Sequence, residues 1–211
     1  MEDLVEEVVG IAGRDLCLLR PRDAEALLDE RAFEHEEFLP YWAELWPSGV
    51  ALARRVAARA LKGARVLELG CGLGLPSLAA ALAGGRVLAT DWSPQAIELL
   101  RDNAERNDAE LELEIADWAH PEALLERAPW DLVLGADLLY ERRNVAPLLD
   151  LVPRLLGERG ELWLADPGRA PADEFLAGFE RLAEDADGRV MLHRLRPRSA
   201  ILRAAADGSS Q

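Results

Sequence analysis

The chain has 211 residues, half of them hydrophobic, which is enough for one large domain with a full core and leaves little for a second. With 39 acidic against 24 basic residues the formal net charge is −15, which argues against a phosphate-backbone partner, so no nucleic acid is expected although a local basic patch can hide inside an acidic total. A basic protein segment or a cationic small molecule is an easier partner electrostatically, although plain solubility explains the charge equally well. The two cysteines, Cys17 and Cys71, are too few for a disulfide framework, so a reducing cytoplasmic setting is expected. His35, His120 and His193 are scattered without ligand spacing, so no metal is expected. The acidic start, Glu2, Asp3, Glu6 and Glu7, does not read as a signal peptide, and no apolar run reaches the roughly 20 residues that cross a bilayer.

In chain order, residues 5–19 hold two apolar runs broken around Ala12-Gly13-Arg14, a short hairpin. Asp23 is placed to cap a helix running through Leu28 to Arg31. The densest aromatic stretch, Pro40-Tyr41-Trp42-Ala43-Glu44-Leu45-Trp46-Pro47, carries two prolines and is too broken for a long regular element. Ser48 reads as the N-cap of a helix with Leu52, Val56 and Ala60 on one face, ended by Gly63. Residues 1–47 therefore read as an N-terminal extension and cap, 48–204 as the main domain, and 205–211 as a flexible tail.

From Arg65 the pattern alternates strand and helix, the signature of an α/β fold with a mostly parallel sheet covered on both faces. Residues 66–69, 86–90, 111–116, 132–136 and 162–165 are short apolar strands. The clearest helix opens with Ser93-Pro94, a cap then a proline, and carries Ile97, Leu100 and Ala104 towards Asn107. Residues 144–156 have helical spacing in which Pro153 should kink the helix or end it early. Two late strands, near 190–195 and 200–203, would close the sheet.

In an open sheet of this kind ligands bind beyond the carboxyl ends of the strands, so the residues just after each strand carry the chemistry. After the first comes Glu68-Leu69-Gly70-Cys71-Gly72-Leu73-Gly74, an acid followed by glycine at every second position, with Pro76 suited to the first turn of the next helix. A dinucleotide fingerprint counted from Gly70 would need a third glycine or alanine where Leu75 stands. Acids recur after the other strands as Asp91-Trp92, Asp117-Trp118, Asp137 and Asp166. A carboxylate at Asp91 can accept both hydroxyls of a ribose, or simply flank a helix. Asp117 can accept from an exocyclic amine, and Trp92 or Trp118 can cover a ring or fill core. Glu68, at the end of a buried strand, needs donors, and it either touches a ligand directly or braces the loop. Asp137 and Tyr140, three apart past a strand, reach one cavity if the chain makes a turn; otherwise they are a helix cap and a core aromatic.

The acid followed by Gly-x-Gly-x-Gly resembles motif I of class I methyltransferases that use S-adenosylmethionine (SAM). Asp137-x-x-Tyr140, together with Tyr41-Trp42-Ala43, Trp46-Pro47 and Asp166-Pro167-Gly168-Arg169, resembles the seven-β-strand protein lysine methyltransferases of methyltransferase family 16, over roughly residues 38 to 170. Within that family the likeness is strongest to the electron-transfer flavoprotein β-subunit lysine methyltransferase branch and its bacterial relatives. The resemblance implies a Rossmann-like, doubly wound, seven-stranded mostly parallel sheet with SAM as cofactor. Trp46 would line the SAM pocket, Glu68, Gly70, Cys71, Gly72 and Gly74 would hold its methionine part, Asp91 its ribose, and Asp117 and Trp118 would bound its adenine, with Trp92 or Trp118 covering the ring. Asp137 and Tyr140 would sit beside the methyl group and the nucleophile.

The expected activity is therefore methyl transfer to a nitrogen, foremost a protein lysine of a substrate such as the flavoprotein β-subunit. Asp137 would capture and align the ammonium, desolvation between Trp46 and Tyr140 would favour the neutral amine, and solvent would take the proton. A small amine or pyridine nitrogen is the alternative acceptor: a protein substrate calls for an exposed groove around Tyr41, Trp42 and Arg169, a metabolite for a lid. An NAD-linked oxidoreductase is disfavoured by Leu75, and a partner protein without catalysis by the complete set of motif residues.

Overall fold

The structure, a computed structural model, describes residues 3–24, 27 and 40–198. Strands β1 (Leu4–Ile11) and β2 (Arg14–Pro21) form the expected antiparallel hairpin about Ala12 and Gly13, both at positive φ. The helix expected from Asp23 to Arg31 lies almost wholly outside the described residues, as do the strand at 200–203 and the tail. A 3₁₀ turn at Tyr41–Ala43 leads into helix α1 (Pro47–Ala57).

Beyond α1 the strands and helices alternate as β3 (Arg65–Leu69), α2 (Leu75–Leu82), β4 (Arg86–Asp91), α3 (Pro94–Arg106), β5 (Glu112–Ile115), α4 (Glu122–Glu126) and β6 (Trp130–Ala136). They continue as α5 (Val145–Leu155), β7 (Leu156–Asp166), α6 (Ala170–Leu176), β8 (Phe179–Asp187) and β9 (Val190–Pro197). Seven strands pair in the order β5-β4-β3-β6-β7-β9-β8. The first five are mutually parallel, and β9 runs antiparallel between β7 and β8.

Two-residue alternation along the central strands divides the core into two layers. Val66, Leu132, Leu134, Trp163 and Ala165 face a cluster built with α1, α2 and α3. Leu67, Leu69, Val133, Leu162 and Leu164 face the other, built with α4, α5 and α6. Helices on both faces explain why these strands are apolar at successive positions rather than alternately.

Three local expectations change. Ser48 is not a cap: the helix begins at Pro47 with Trp46 in the cap position, and Ser48 is buried in its first turn. Proline at the first helical position supplies the start, since its missing N–H is one of those left unbonded there anyway. The same helix ends at Ala57, ahead of Gly63. The segment 179–187, for which no strand is expected, is the edge strand β8. Pro153 lies inside α5, which stops two residues later and passes directly into β7. The Ser93 cap forms as expected, its hydroxyl accepting from the Ala96 amide.

Candidate active site

After β3 the chain runs through β4 and β5 to one side, then crosses to β6 on the other side of β3. The loops following β3 and β6 thus part at the switch point of the sheet, where a crevice opens. A cavity of about 920 Å³ lies there. It is lined by the glycine loop, by Asp91 and Trp92, by Asp117 and Trp118, by Asp137 and Tyr140, and by Trp46. Every residue expected to hold the cofactor or the nucleophile borders this one space, whereas Asp166, the acid after β7, does not line it.

The loop 70–74 is shaped by contacts within the protein. Gly72 has φ +52, and a Cβ there would lie 3.1 Å from the Trp42 carbonyl oxygen. Gly74 has φ +78, and a Cβ there would lie 2.1 Å from Leu100 Cδ1. Both positions need left-handed backbone and a close approach that only glycine allows. Gly70 turns beneath Leu138 and Trp118. Cys71 is buried, its amide donates to the Thr90 carbonyl at 2.9 Å, and burial pushes its thiol pKa up.

Two buried acids flank the loop. Asp91, 5% exposed, accepts from the Gly72 amide through Oδ2 at 2.9 Å and from the Ser93 amide through Oδ1 at 3.0 Å, so one carboxylate fastens the glycine loop to the start of α3. Burial raises its pKa, and the amide hydrogen bonds work against that rise. Glu68, 1% exposed, accepts a hydrogen bond from the Ser77 hydroxyl of α2. Burial pushes its pKa up to about 8, the Ser77 bonds opposing and the Asp91 charge adding. Ser77 is the donor that Glu68 required. It lies nine residues on, one turn into the next helix, and no motif marked it.

Aromatic residues form the mouth. Tyr41 and Tyr140 approach with ring centroids 5.2 Å apart, and Tyr41 meets Trp46 edge-on at 6.3 Å. The Trp46 indole N–H donates to the Tyr41 carbonyl at 2.8 Å, which holds the segment before α1 over the cavity. Tyr41, Trp46, Trp92, Ile115 and Tyr140 are five of the six exposed large hydrophobic residues among those described, and all five line the cavity. Asp117 is exposed and its carboxylate accepts from the Ala119 amide, while Trp118 packs against Gly70. Burial raises the Tyr140 pKa, so its hydroxyl stays protonated at neutral pH.

Asp137 takes φ +56 at the end of β6, with its amide donating to the Ala165 carbonyl of β7 at 2.9 Å. Its carboxylate is paired with the Arg169 guanidinium. Asp166, fully buried, accepts from the amides of Gly168 and Arg169 at 2.7 and 2.8 Å, and so folds the turn that returns Arg169 to Asp137. The sequence places Arg169 on the rim; the pairing with Asp137 spans 32 residues and is visible only in three dimensions. Among the described residues no cluster of potential metal ligands is present, and no helix is long and apolar enough to cross a membrane.

The family model described as lysine methyltransferase matches residues 36–181. The electron-transfer flavoprotein β-subunit lysine methyltransferase of Xenopus laevis is 37% identical over 137 residues, covering 62% of this chain and 54% of that protein. EEF1A lysine methyltransferase 3 of Mus musculus is 30% identical over 170 residues, covering 74% and 72% respectively. The crystal structure of ribosomal protein L11 methylase from Lactobacillus delbrueckii subsp. bulgaricus superposes with a TM-score of 0.57 at 25% identity, covering 74% of this chain and 81% of that one. The chain spans about half the length of the flavoprotein β-subunit methyltransferases it matches. With the family model covering most of the doubly wound sheet and both loops of its crevice, this chain belongs to the lysine methyltransferase family.

Proposed function

We propose that the protein transfers a methyl group from SAM to the ε-amine of a lysine in a protein substrate. One observation carries the reading: the glycine loop, Asp91 and the Asp137–Tyr140 corner border a single cavity, so a cofactor site and an acceptor site meet in one space. The family relationship and the names of the relatives, which are methyltransferases of protein lysines, support the same reading.

The residues present fit SAM. Asp91 borders the cavity while bonded by the Gly72 and Ser93 amides, and its remaining acceptor capacity would hold the ribose hydroxyls. Glu68 is buried with no cationic partner among the described residues, and an ammonium group on a ligand beside it would lower its raised pKa and hold it ionised. Trp92, Asp117 and Trp118 would bound the base, and Trp46 would line the pocket. When bound, SAM supplies a methyl carbon on a sulfonium sulfur, which a neutral amine displaces in line. No acid is needed for the leaving thioether, so the chain's work is to align the amine and present it uncharged. Tyr140 would orient the nitrogen through its neutral hydroxyl, and the ring faces of Tyr41, Trp46 and Tyr140 would sheath the lysine stem.

The exposed aromatic mouth favours a protein acceptor, since Tyr41, Trp46 and Tyr140 present area to a partner's surface. The net charge of −15 favours a basic segment around the lysine, and the electron-transfer flavoprotein β-subunit is the first candidate. The test is transfer of radiolabelled methyl from SAM into a lysate of the parent cell. A labelled protein band whose label maps to lysine is the expected result. Label confined to small molecules would replace this reading with a small-amine acceptor.

A further inference from the structure

We propose that Arg169 sets the protonation state of the acceptor amine: its guanidinium is shared between Asp137 and Asp166, so the amine meets a carboxylate that is already largely neutralised. This rests on the lysine methyl-transfer reading above. A bare carboxylate at position 137 would draw in an ammonium but also hold its proton, and a lysine with its ordinary pKa near about 10.4 cannot attack while charged. The structure resolves that conflict. Arg169 Nη1 contacts Asp137 Oδ1 and stands 3.6 Å from Asp166 Oδ2. Arginine stays protonated at any working pH, so the cation is permanent.

The three groups together carry one net negative charge, and two of their oxygens, Asp137 Oδ2 and Asp166 Oδ2, are buried and have no hydrogen-bond partner among the described residues. Asp166 is 99% buried by side chain, and its other oxygen is committed to the turn amides. Asp137 lines the cavity, so an amine entering there meets its carboxylate with Arg169 already in contact, and Arg169 limits the charge that amine feels.

Other charged groups around this corner are already engaged. Past β6, Glu141 is paired with Arg143, the other cavity-lining arginine among the described residues. On β4, Asp91 is held by two amides, and on β3, Glu68 is bonded by Ser77. The Asp117 carboxylate accepts from the Ala119 amide, and Glu44 and Tyr41 lie on the segment before α1. Behind Asp166, His193 of β9 has its pKa lowered by burial and is neutral above the usual histidine range. Arg169 is therefore the cation placed to act on the amine.

The experiment is the pH profile of the single-turnover methyl-transfer rate at saturating SAM and protein substrate, for wild type, R169Q, R169K and D166N. R169Q leaves two uncompensated carboxylates, and its apparent pKa is expected to rise by about one pH unit, a tenfold lower rate at pH 7 with KM unchanged or lower. D166N keeps the oxygen that accepts the turn amides but removes a negative charge, and its apparent pKa should fall by a similar amount. R169K keeps the charge and should keep the wild-type profile, whatever its rate. S-Adenosylhomocysteine binding and thermal melting check that each variant is folded; if R169Q does not fold, the fall in D166N and the constancy in R169K still decide. Profiles in D166N and R169Q that coincide with wild type, or that move in the same direction, overturn the inference while leaving methyl transfer intact. A wild-type chain that methylates no protein lysine overturns both the inference and the reading beneath it.

Discussion

Asn103 of α3 pairs with Leu19 of β2 as a neighbouring strand would: its Oδ1 accepts from the Leu19 amide at 2.6 Å and its Nδ2 donates to the Leu19 carbonyl at 3.2 Å. One turn on, Asn107 does the same for Cys17, at 2.9 and 2.8 Å. Four residues of helix rise about 6 Å and two residues of strand about 6.8 Å, so the two amides fall in step with the strand edge. Asn103 Nδ2 also donates to the Leu73 carbonyl at 3.3 Å, tying the hairpin to the glycine loop. Asn103→Ala would strand three backbone groups around a fully buried position and is expected to cost about 2–3 kcal/mol in urea unfolding, with faster amide exchange at Leu19. Asn107→Ala, at a partly exposed position, should cost about 1 kcal/mol.

Glu68 links stability to pH. Its pKa rises from 4.5 unfolded to about 8 folded, so the folded state holds a proton that the unfolded state has already released across that window. The contribution is fully present below pH 4.5, declines as pH rises towards 8, and is lost above it, by roughly 5 kcal/mol at the limit. Glu68→Gln should flatten the dependence of unfolding free energy on pH between 5 and 8. Chemical denaturation across that range in both proteins measures it, and parallel curves would show that Glu68 stays ionised.

The glycine loop separates packing from binding. Gly74→Ala drives a Cβ into Leu100 at left-handed φ and should cost about 3 kcal/mol or more, read by thermal melting. Gly72→Ala meets only the Trp42 carbonyl at 3.1 Å and should cost about 1–2 kcal/mol. Its larger effect is expected in calorimetric titration with S-adenosylhomocysteine, at least tenfold weaker, because shifting the loop disturbs the Gly72 amide bonded to Asp91.

Asp137→Asn preserves a residue that tolerates φ +56 while removing the charge that holds Arg169. Binding of S-adenosylhomocysteine should be nearly unchanged and kcat/KM for the protein substrate about a hundredfold lower. A kcat/KM equal to wild type would remove Asp137 from the acceptor site.

The parts legible in the sequence are those where local chemistry and tertiary demand agree. Ser93-Pro94 caps and starts a helix by itself, and the runs 66–69, broken only by Glu68, and 132–136 are apolar at successive positions because both faces of the sheet are covered. Glu68, the spaced glycines and Asp91 announce a crevice because each is out of place in a plain strand or turn. Strand β8 is illegible for the opposite reason. At the sheet edge it pairs with one strand only, and Phe179-Glu180-Arg181-Leu182-Ala183-Glu184 mixes apolar and charged residues on both faces with a register shift between Arg181 and Ala183, so no alternation survives. Ser48 misled because proline at 47 starts the same helix more effectively. The partners of the site acids, Ser77 for Glu68 and Arg169 for Asp137, come from other elements and have no spacing to reveal them.

The carbonyl of Trp42 resting on Gly72 makes the site a joint between two stretches thirty residues apart in the chain. A chimera taking residues 40–46 from one relative and the sheet from another would inherit a surface cut for a different loop, and is expected to keep its melting temperature while binding its ligand more weakly. Exchanging both stretches together restores the match, so the inheritable unit here is a pair of segments rather than a contiguous module.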